Sequence, residues 1–85
     1  MALVRISPTP ARIRWNRSAD RPSELRWDDH QVDVIGLETV RDERAAYPAE
    51  RGPRVTLVLR TGDGGRASVA YDGRRWTIDA IEPAA

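Results

Sequence analysis

The sequence predicts an all-β protein, and three observations lead to this prediction. Apolar and polar side chains alternate along several short segments, which is the pattern of half-buried strands. Turn clusters rich in glycine and aspartate separate these segments, and only one stretch has the features of a helix. With 85 residues the chain is long enough for one domain with a thin core. We therefore expect a small SH3-like barrel or curled antiparallel sheet of five to six strands, with at most a short helical turn.

The first third of the chain supplies two short strands and a good deal of loop. The segments "ARIRW" (residues 11–15) and "ELRW" (residues 24–27) have the composition of strands, whereas the flanking "SPTP" and "NRSADRPS" are typical of loops. We accordingly divide the chain into an N-terminal strand and loop segment, residues 1–23, which we expect to be partly flexible, and a barrel domain, residues 24–82.

A long strand follows in "HQVDVIGLETVRD" (residues 30–42), and its alternation changes phase. Val32 and Val34 share a face, whereas the next apolar residue, Ile35, has the opposite parity. A shift of one residue moves every following side chain to the other face of a sheet. A bulge or sharp bend at Ile35–Gly36 resolves this conflict and lets the strand curl around a barrel.

The last third of the chain predicts a meander of three strands, "RVTLVLRT", "RASVAYD" and "RWTIDAI", each with strict alternation. The clusters "TGDGG" and "YDGRR" between them are typical of tight hairpins, because glycine accepts the positive φ that such turns require. They are not typical of a phosphate-binding loop. The chain has no lysine, and a strand rather than a helix follows the glycines.

Residues 42–53 form the longest predicted connection. Asp42 is a suitable N-cap and Pro48 ends any helix begun there, so the expected helical turn runs from Asp42 to Tyr47. Long loops on a small scaffold often carry binding function. Our leading functional prediction is therefore a non-catalytic interaction module that binds a protein partner through Arg44, Tyr47, Pro48 and Arg51.

Arginine next to tryptophan supports an alternative prediction. All 14 basic residues are arginine, and "RIRW", "LRW" and "GRRW" each place one beside a tryptophan. Proteins that bind single strands combine a basic groove with aromatic rings on which bases stack. The alternative is thus a single-stranded nucleic-acid-binding module that uses Arg14, Trp15, Arg74 and Arg75. The same tryptophans also suit core packing, and whether the three of them lie in the core or at the surface stays open.

Patterns for catalysis and metal binding are weak. The cluster "WDDHQVD" holds three aspartates and the only histidine, but a hairpin turn explains it and neighbouring strand residues point to opposite sides. No nucleophile motif surrounds any serine, and the chain has no cysteine. We predict no enzymatic activity, no small-molecule substrate, no cofactor and no metal. Because no apolar run nears the roughly 20 residues that span a membrane and no secretory signal is recognisable, we predict no membrane partner and a cytoplasmic location.

From Glu24 to Ile81 the layout resembles a family of small actinobacterial all-β domains of unknown function. That family is related to the C-terminal segment of the Y-family polymerase-like protein of a DNA-damage mutasome. The residues that carry the resemblance are Trp27 followed by Val32, then "RVTLVLRTGDGG" and a closing "DGRRWTID". This chain has "VRDERAAYPAE" where the family is rich in tryptophan. The resemblance implies partner binding in a DNA-repair context and transfers no catalytic residue.

Overall fold

A computed structural model of the chain describes residues 3–42 and 55–83 and contains six strands in these ranges. The strands are β1 (Val4–Asn16), β2 (Arg21–Trp27), β3 (His30–Asp42), β4 (Val55–Thr61), β5 (Arg66–Tyr71) and β6 (Trp76–Glu82). Each strand pairs antiparallel with the next, and β6 pairs with β1 to close a barrel. The described ranges contain no helix. The all-β class and the small antiparallel barrel predicted from the sequence are confirmed; the helical turn expected over residues 42–47 falls largely outside the described residues.

The first strand is longer than the sequence indicated, and it belongs to the barrel. Its N-terminal half pairs with β6 from Val4 to Ala11, and its C-terminal half pairs with β2 from Ala11 to Asn16. The prolines of "SPTP" had indicated a loop. Pro8 falls where the register with β6 is irregular, and Pro10 lies opposite Thr77 of β6 at a point where the other edge of β1 has no partner. Irregular and single-edged positions of this kind are where strands tolerate proline. Residues 4–16 therefore lie inside the domain that the sequence placed at 24–82.

The phase break in β3 is a β-bulge, as predicted. Val34 lies opposite Thr61 and Gly36 lies opposite Arg60, so Ile35 is the extra residue. A second irregularity follows between Leu37 and Thr39. Two bulges in one strand bend it strongly, which allows β3 to pair first with β2 and then with β4 as the sheet curls.

The core fills the inside of the curled sheet with the alternating side chains of the meander. Leu57 and Leu59 of β4 lie opposite Val69 and Ala67 of β5, and all four are buried. Two further residues, Leu25 and Ile78, are fully buried and join the same cluster. The alternation read from the sequence thus identifies the core-facing positions of β4 and β5 directly.

Both glycine clusters form the hairpin turns that the sequence predicts. Gly64 has a φ of 91° and Gly73 a φ of 101°, conformations that residues with a Cβ rarely adopt. Asp63 stabilises the first turn by accepting a hydrogen bond from the Gly65 N–H at 3.0 Å. The backbone N–H of Gly62 donates to the Asp33 carbonyl at 2.8 Å, which ties this turn to β3.

Candidate functional site

The pairing register places two tryptophans on either side of one alanine. Ala11 of β1 lies opposite Trp27 of β2 on one edge and opposite Trp76 of β6 on the other. Directly opposite residues of paired strands project to the same side of a sheet. Two large rings therefore flank a side chain that consists of a single methyl group.

Each indole also has a second ring next to it, on the strand that lies away from Ala11. Trp27 stacks with His30 of β3, with ring centroids 5.0 Å apart and an interplanar angle of 26°. Trp76 packs against Tyr71 of β5 at 4.9 Å and 38°. The cross-strand order is therefore His30, Trp27, Ala11, Trp76, Tyr71, and we call these five residues the aromatic row.

An open pocket of about 530 Å³ is lined in part by the three central residues of the aromatic row. Its lining consists of Pro10, Ala11, Arg12, Arg26, Trp27, Asp28, Arg75 and Trp76. Three arginines, one aspartate and two tryptophans thus contribute to the lining of one pocket. This combination of basic and aromatic side chains suits a ligand that is both anionic and planar.

The turn before β6 holds Arg75 at the edge of the pocket. The Asp72 carboxylate accepts hydrogen bonds from the backbone N–H of Arg75 at 2.9 Å and of Arg74 at 2.8 Å. These bonds, with that to Arg75 as the larger contribution, lower the pKa of Asp72 below its ordinary value. Asp72 is therefore charged at neutral pH, and its bonds fix the turn from which the Arg75 side chain projects.

Arg12 of β1 and Arg26 of β2 also line the pocket, and they lie directly opposite each other. They are the register neighbours of Ala11 and Trp27, so their side chains leave the sheet on the other face from the aromatic row. Glu24 partly neutralises Arg26 through an ion pair of 3.1 Å, and Gln31 holds the same carboxylate at 2.9 Å. Within residues 3–42 and 55–83, Arg12 and Arg75 make no ion pair. The Arg75 charge nevertheless lies close enough to Asp72 to help lower the pKa of that carboxyl group.

Of the four residues in the nucleic-acid prediction, the pocket includes Arg75 alone. Arg14 lies two residues beyond Arg12, opposite Glu24, and Trp15 lies opposite Pro22 at an irregularity in the register. Trp15 is 45% exposed. Arg74 is exposed in the turn but does not line the pocket.

Sequence reasoning missed most of the residues that complete the pocket. Arg26 precedes Trp27 just as Arg75 precedes Trp76, so the repeated Arg-Trp pair was a usable signal. Ala11 and Arg12 carried no such signal, because their position depends on the register of β1 against two other strands. Trp27 and Trp76 are half-buried and pack against the core, and both also line the pocket. This answers the question that the sequence left open about the location of these two tryptophans.

The other sequence predictions are placed as follows. Arg44, Tyr47, Pro48 and Arg51, the expected protein-contact residues, lie outside the described residues. The "WDDHQVD" cluster is a two-residue hairpin turn between Trp27 and its partner His30. In the part of the chain that the structure describes, no three metal-ligating side chains come together. No helix in that part is long and apolar enough to cross a membrane.

Fold and site together define a small antiparallel β-barrel with an arginine-lined aromatic pocket. Comparison with protein-family models, with curated proteins and with solved structures finds no match to this chain. The resemblance to the actinobacterial all-β family therefore stays a prediction, and the function is argued from the pocket itself.

Proposed function

We propose that this chain is a cytoplasmic, non-catalytic binding module and that its pocket binds single-stranded nucleic acid. The observation that carries the proposal is one open pocket whose lining includes three arginines and two tryptophans, namely Arg12, Arg26, Arg75, Trp27 and Trp76. Unpaired bases stack on indole rings, and guanidinium groups pair with the phosphates between them. This is the sequence-based alternative, now centred on the pocket residues rather than on Trp15.

The number of arginines sets the expected salt dependence. If all three contact phosphates, the slope of log affinity against log salt for a single strand is about −2, so affinity falls roughly 20-fold between about 50 and 200 mM salt. Asp28 lines the same pocket and opposes the anion, which keeps the expected affinity moderate.

Fluorescence anisotropy with a labelled oligothymidylate tests the proposal. Replacing Arg12 and Arg75 by glutamine should reduce the slope to about −0.7, since one phosphate contact remains. Arg60→Gln is the matched control, because Arg60 is exposed on β4 and does not line the pocket. Absence of binding at about 50 mM salt, or an equal loss with Arg60→Gln, contradicts the proposal.

A specific observation also favours the protein partner that the sequence analysis put first. Ile35, Leu37 and Val40 of β3 are exposed by 54%, 40% and 56%, although they are large apolar residues. They lie on the strand that leads into residues 43–54, where Tyr47 and its neighbours were expected to contact a partner. Several large apolar side chains exposed on one strand are typical of a protein contact, and the family resemblance implies one in a DNA-repair context.

A pull-down with two variants tests this second candidate. One variant replaces residues 43–54 by a glycine–serine linker of equal length, and the other carries Leu37→Ser together with Val40→Ser. Both should lose a captured partner that the Arg12→Gln variant retains. If all three variants capture the partner equally, the proposed contact through β3 and residues 43–54 is contradicted.

A further inference from the structure

The outer surface of the barrel carries arginines at neighbouring positions on β2, on β1 and at the start of β6. Arg12 of β1 lies directly opposite Arg26 of β2, and both side chains are exposed. Arg75 immediately precedes Trp76, which lies opposite Ala11, so Arg75 is the neighbour of Arg12 on the side of β6. All three arginines line the same pocket, and we call them the arginine row.

The arginine row lies on the outer face because the residues next to it in the sequence lie on the inner one. Ala11, Trp27 and Trp76 pack against the core, and successive residues of a strand point to opposite faces. The N–H of Asp72 donates to the Arg75 carbonyl at 3.2 Å, which extends the pairing of β5 with β6 by one residue past Trp76. The guanidinium groups therefore lie in solvent, on the other side of the sheet from the core-facing indoles.

Like charges at adjacent positions of the arginine row repel each other, because directly opposite residues are close in space. Glu24 offsets the charge of Arg26 through its ion pair of 3.1 Å, but Gln31, the β3 neighbour of Arg26, is neutral. A bound anion would therefore relieve the repulsion. A ligand with phosphates at regular intervals fits the row better than a single anion, since each guanidinium group can pair with one phosphate.

We infer that consecutive phosphates of one bound strand occupy the arginine row, so that the nucleic acid crosses β2, β1 and β6 instead of running along them. This inference rests on the proposed nucleic-acid function. Neighbouring β-strands lie about 4.8 Å apart. Successive phosphates of a stacked strand advance by about 3.4 Å along its axis, and the interval grows as the strand is extended. The row thus holds three phosphates, the number in a tetranucleotide without terminal phosphates.

The length of the oligonucleotide tests this path. Oligothymidylates of two, three and four nucleotides without terminal phosphates contain one, two and three phosphates, and they are compared as competitors of a labelled strand in anisotropy. Their affinity at about 50 mM salt should rise with each added phosphate up to four nucleotides. Six nucleotides should bind within about threefold of four, because only the number of possible registers increases. A rise of more than about tenfold from four to six nucleotides would place essential phosphates outside the row and overturn the inference.

Single substitutions assign the phosphates to the row. Arg12→Gln, Arg26→Gln and Arg75→Gln should each reduce the magnitude of the salt slope by about 0.7. Arg14→Gln is the matched control, because Arg14 is exposed two residues further along the same face of β1, lies opposite Glu24 and does not line the pocket. It should leave the slope unchanged. Far-UV circular dichroism establishes that the variants keep the fold.

A second measurement needs no nucleic acid. Arg12→Gln removes a repelling charge and should raise the melting temperature in low salt by roughly 1–4 °C. This gain should disappear at about 1 M salt, which screens the charges, and in inorganic tripolyphosphate, which stabilises the wild type. Arg14→Gln should not raise the melting temperature, because Arg14 lies opposite an acid. A lower melting temperature for Arg12→Gln than for Arg14→Gln in low salt would contradict the repulsion on which the row depends.

The outcomes separate the inference from the proposed function. If no oligothymidylate binds, both are wrong. If oligothymidylate binds and Arg14→Gln reduces the slope as much as Arg12→Gln does, the function stands and the row is wrong. If a glutamate peptide of equal charge displaces the oligonucleotide at lower concentration than tripolyphosphate, the row binds acidic protein segments and its assignment to phosphates is overturned.

Discussion

Replacement of two glycines by alanine gives opposite expected results, and the difference comes from their backbone conformations. At Gly36 an added Cβ would lie 3.7 Å from Cδ and 3.8 Å from Cβ of Arg60, which are ordinary van der Waals distances. Its φ lies outside the left-handed region, since the positive-φ glycines of the described ranges are Gly64 and Gly73. Gly36→Ala should therefore stabilise the fold by about 0.4–1 kcal/mol, because alanine lowers the entropy of the unfolded chain.

At Gly73 the same change should destabilise the fold by about 1–3 kcal/mol, since a φ of 101° is strained for any residue with a Cβ. Urea unfolding followed by far-UV circular dichroism measures both effects as shifts of the midpoint at constant slope. A loss of more than about 1 kcal/mol for Gly36→Ala would refute the reasoning, because the β3 bulge would then require glycine itself. An unchanged free energy of unfolding for Gly73→Ala would refute it as well.

Three further predictions concern the pocket, acid stability and the core. Asp28→Asn should raise oligothymidylate affinity about twofold to fivefold in anisotropy titrations, because asparagine tolerates the φ of 47° and removes a negative charge from the pocket; no change relative to Asp29→Asn would contradict this. The hydrogen bond from Arg66 lowers the pKa of Glu82 in the folded protein below its ordinary value of 4.5. The stabilisation that this bond provides is therefore complete above the pKa of the unfolded chain, and is lost as the pH falls through the lower pKa of the folded state. The melting temperatures of wild type and Glu82→Gln should accordingly converge in acid, and a constant difference down to the lowest pH would disprove the linkage. Leu59→Ala should cost about 2–5 kcal/mol in urea unfolding because Leu59 is fully buried, and a cost below about 1 kcal/mol would mean that the core closes around the cavity.

Local patterns in the sequence predicted the parts of the fold that depend on neighbouring residues. The alternation around Leu57 and Val69 identified the inner face of the meander, and the parity change at Ile35 located the bulge. The prolines misled at β1, because a proline is tolerated wherever its missing N–H faces no partner strand. Sequence alone does not say which edge of a strand is paired.

The candidate site depends on long-range register, and this is why most of it was not predicted. Trp27 and Trp76 lie far apart in the sequence, and Ala11 meets both only because β1 changes partners at that residue. A slip of one residue in either pairing would turn Ala11 and the indoles to opposite sides of the sheet. The Arg-Trp pairs indicated the chemistry of the site, whereas their spatial arrangement is a property of barrel closure.

The change of partners at Ala11 also links ligand binding to the order in which the chain folds. The walls of the pocket come from the second and the last strand, and its floor comes from the first. The hairpins of β2–β3 and β5–β6 are local and form quickly, but the pocket exists only after the two ends of the chain have met, which is a slow step for distant segments. A nascent chain that lacks β6 thus has no complete binding site. A ligand bound in the pocket would in turn contact residues of all three strands, and would slow the opening of the barrel at its seam.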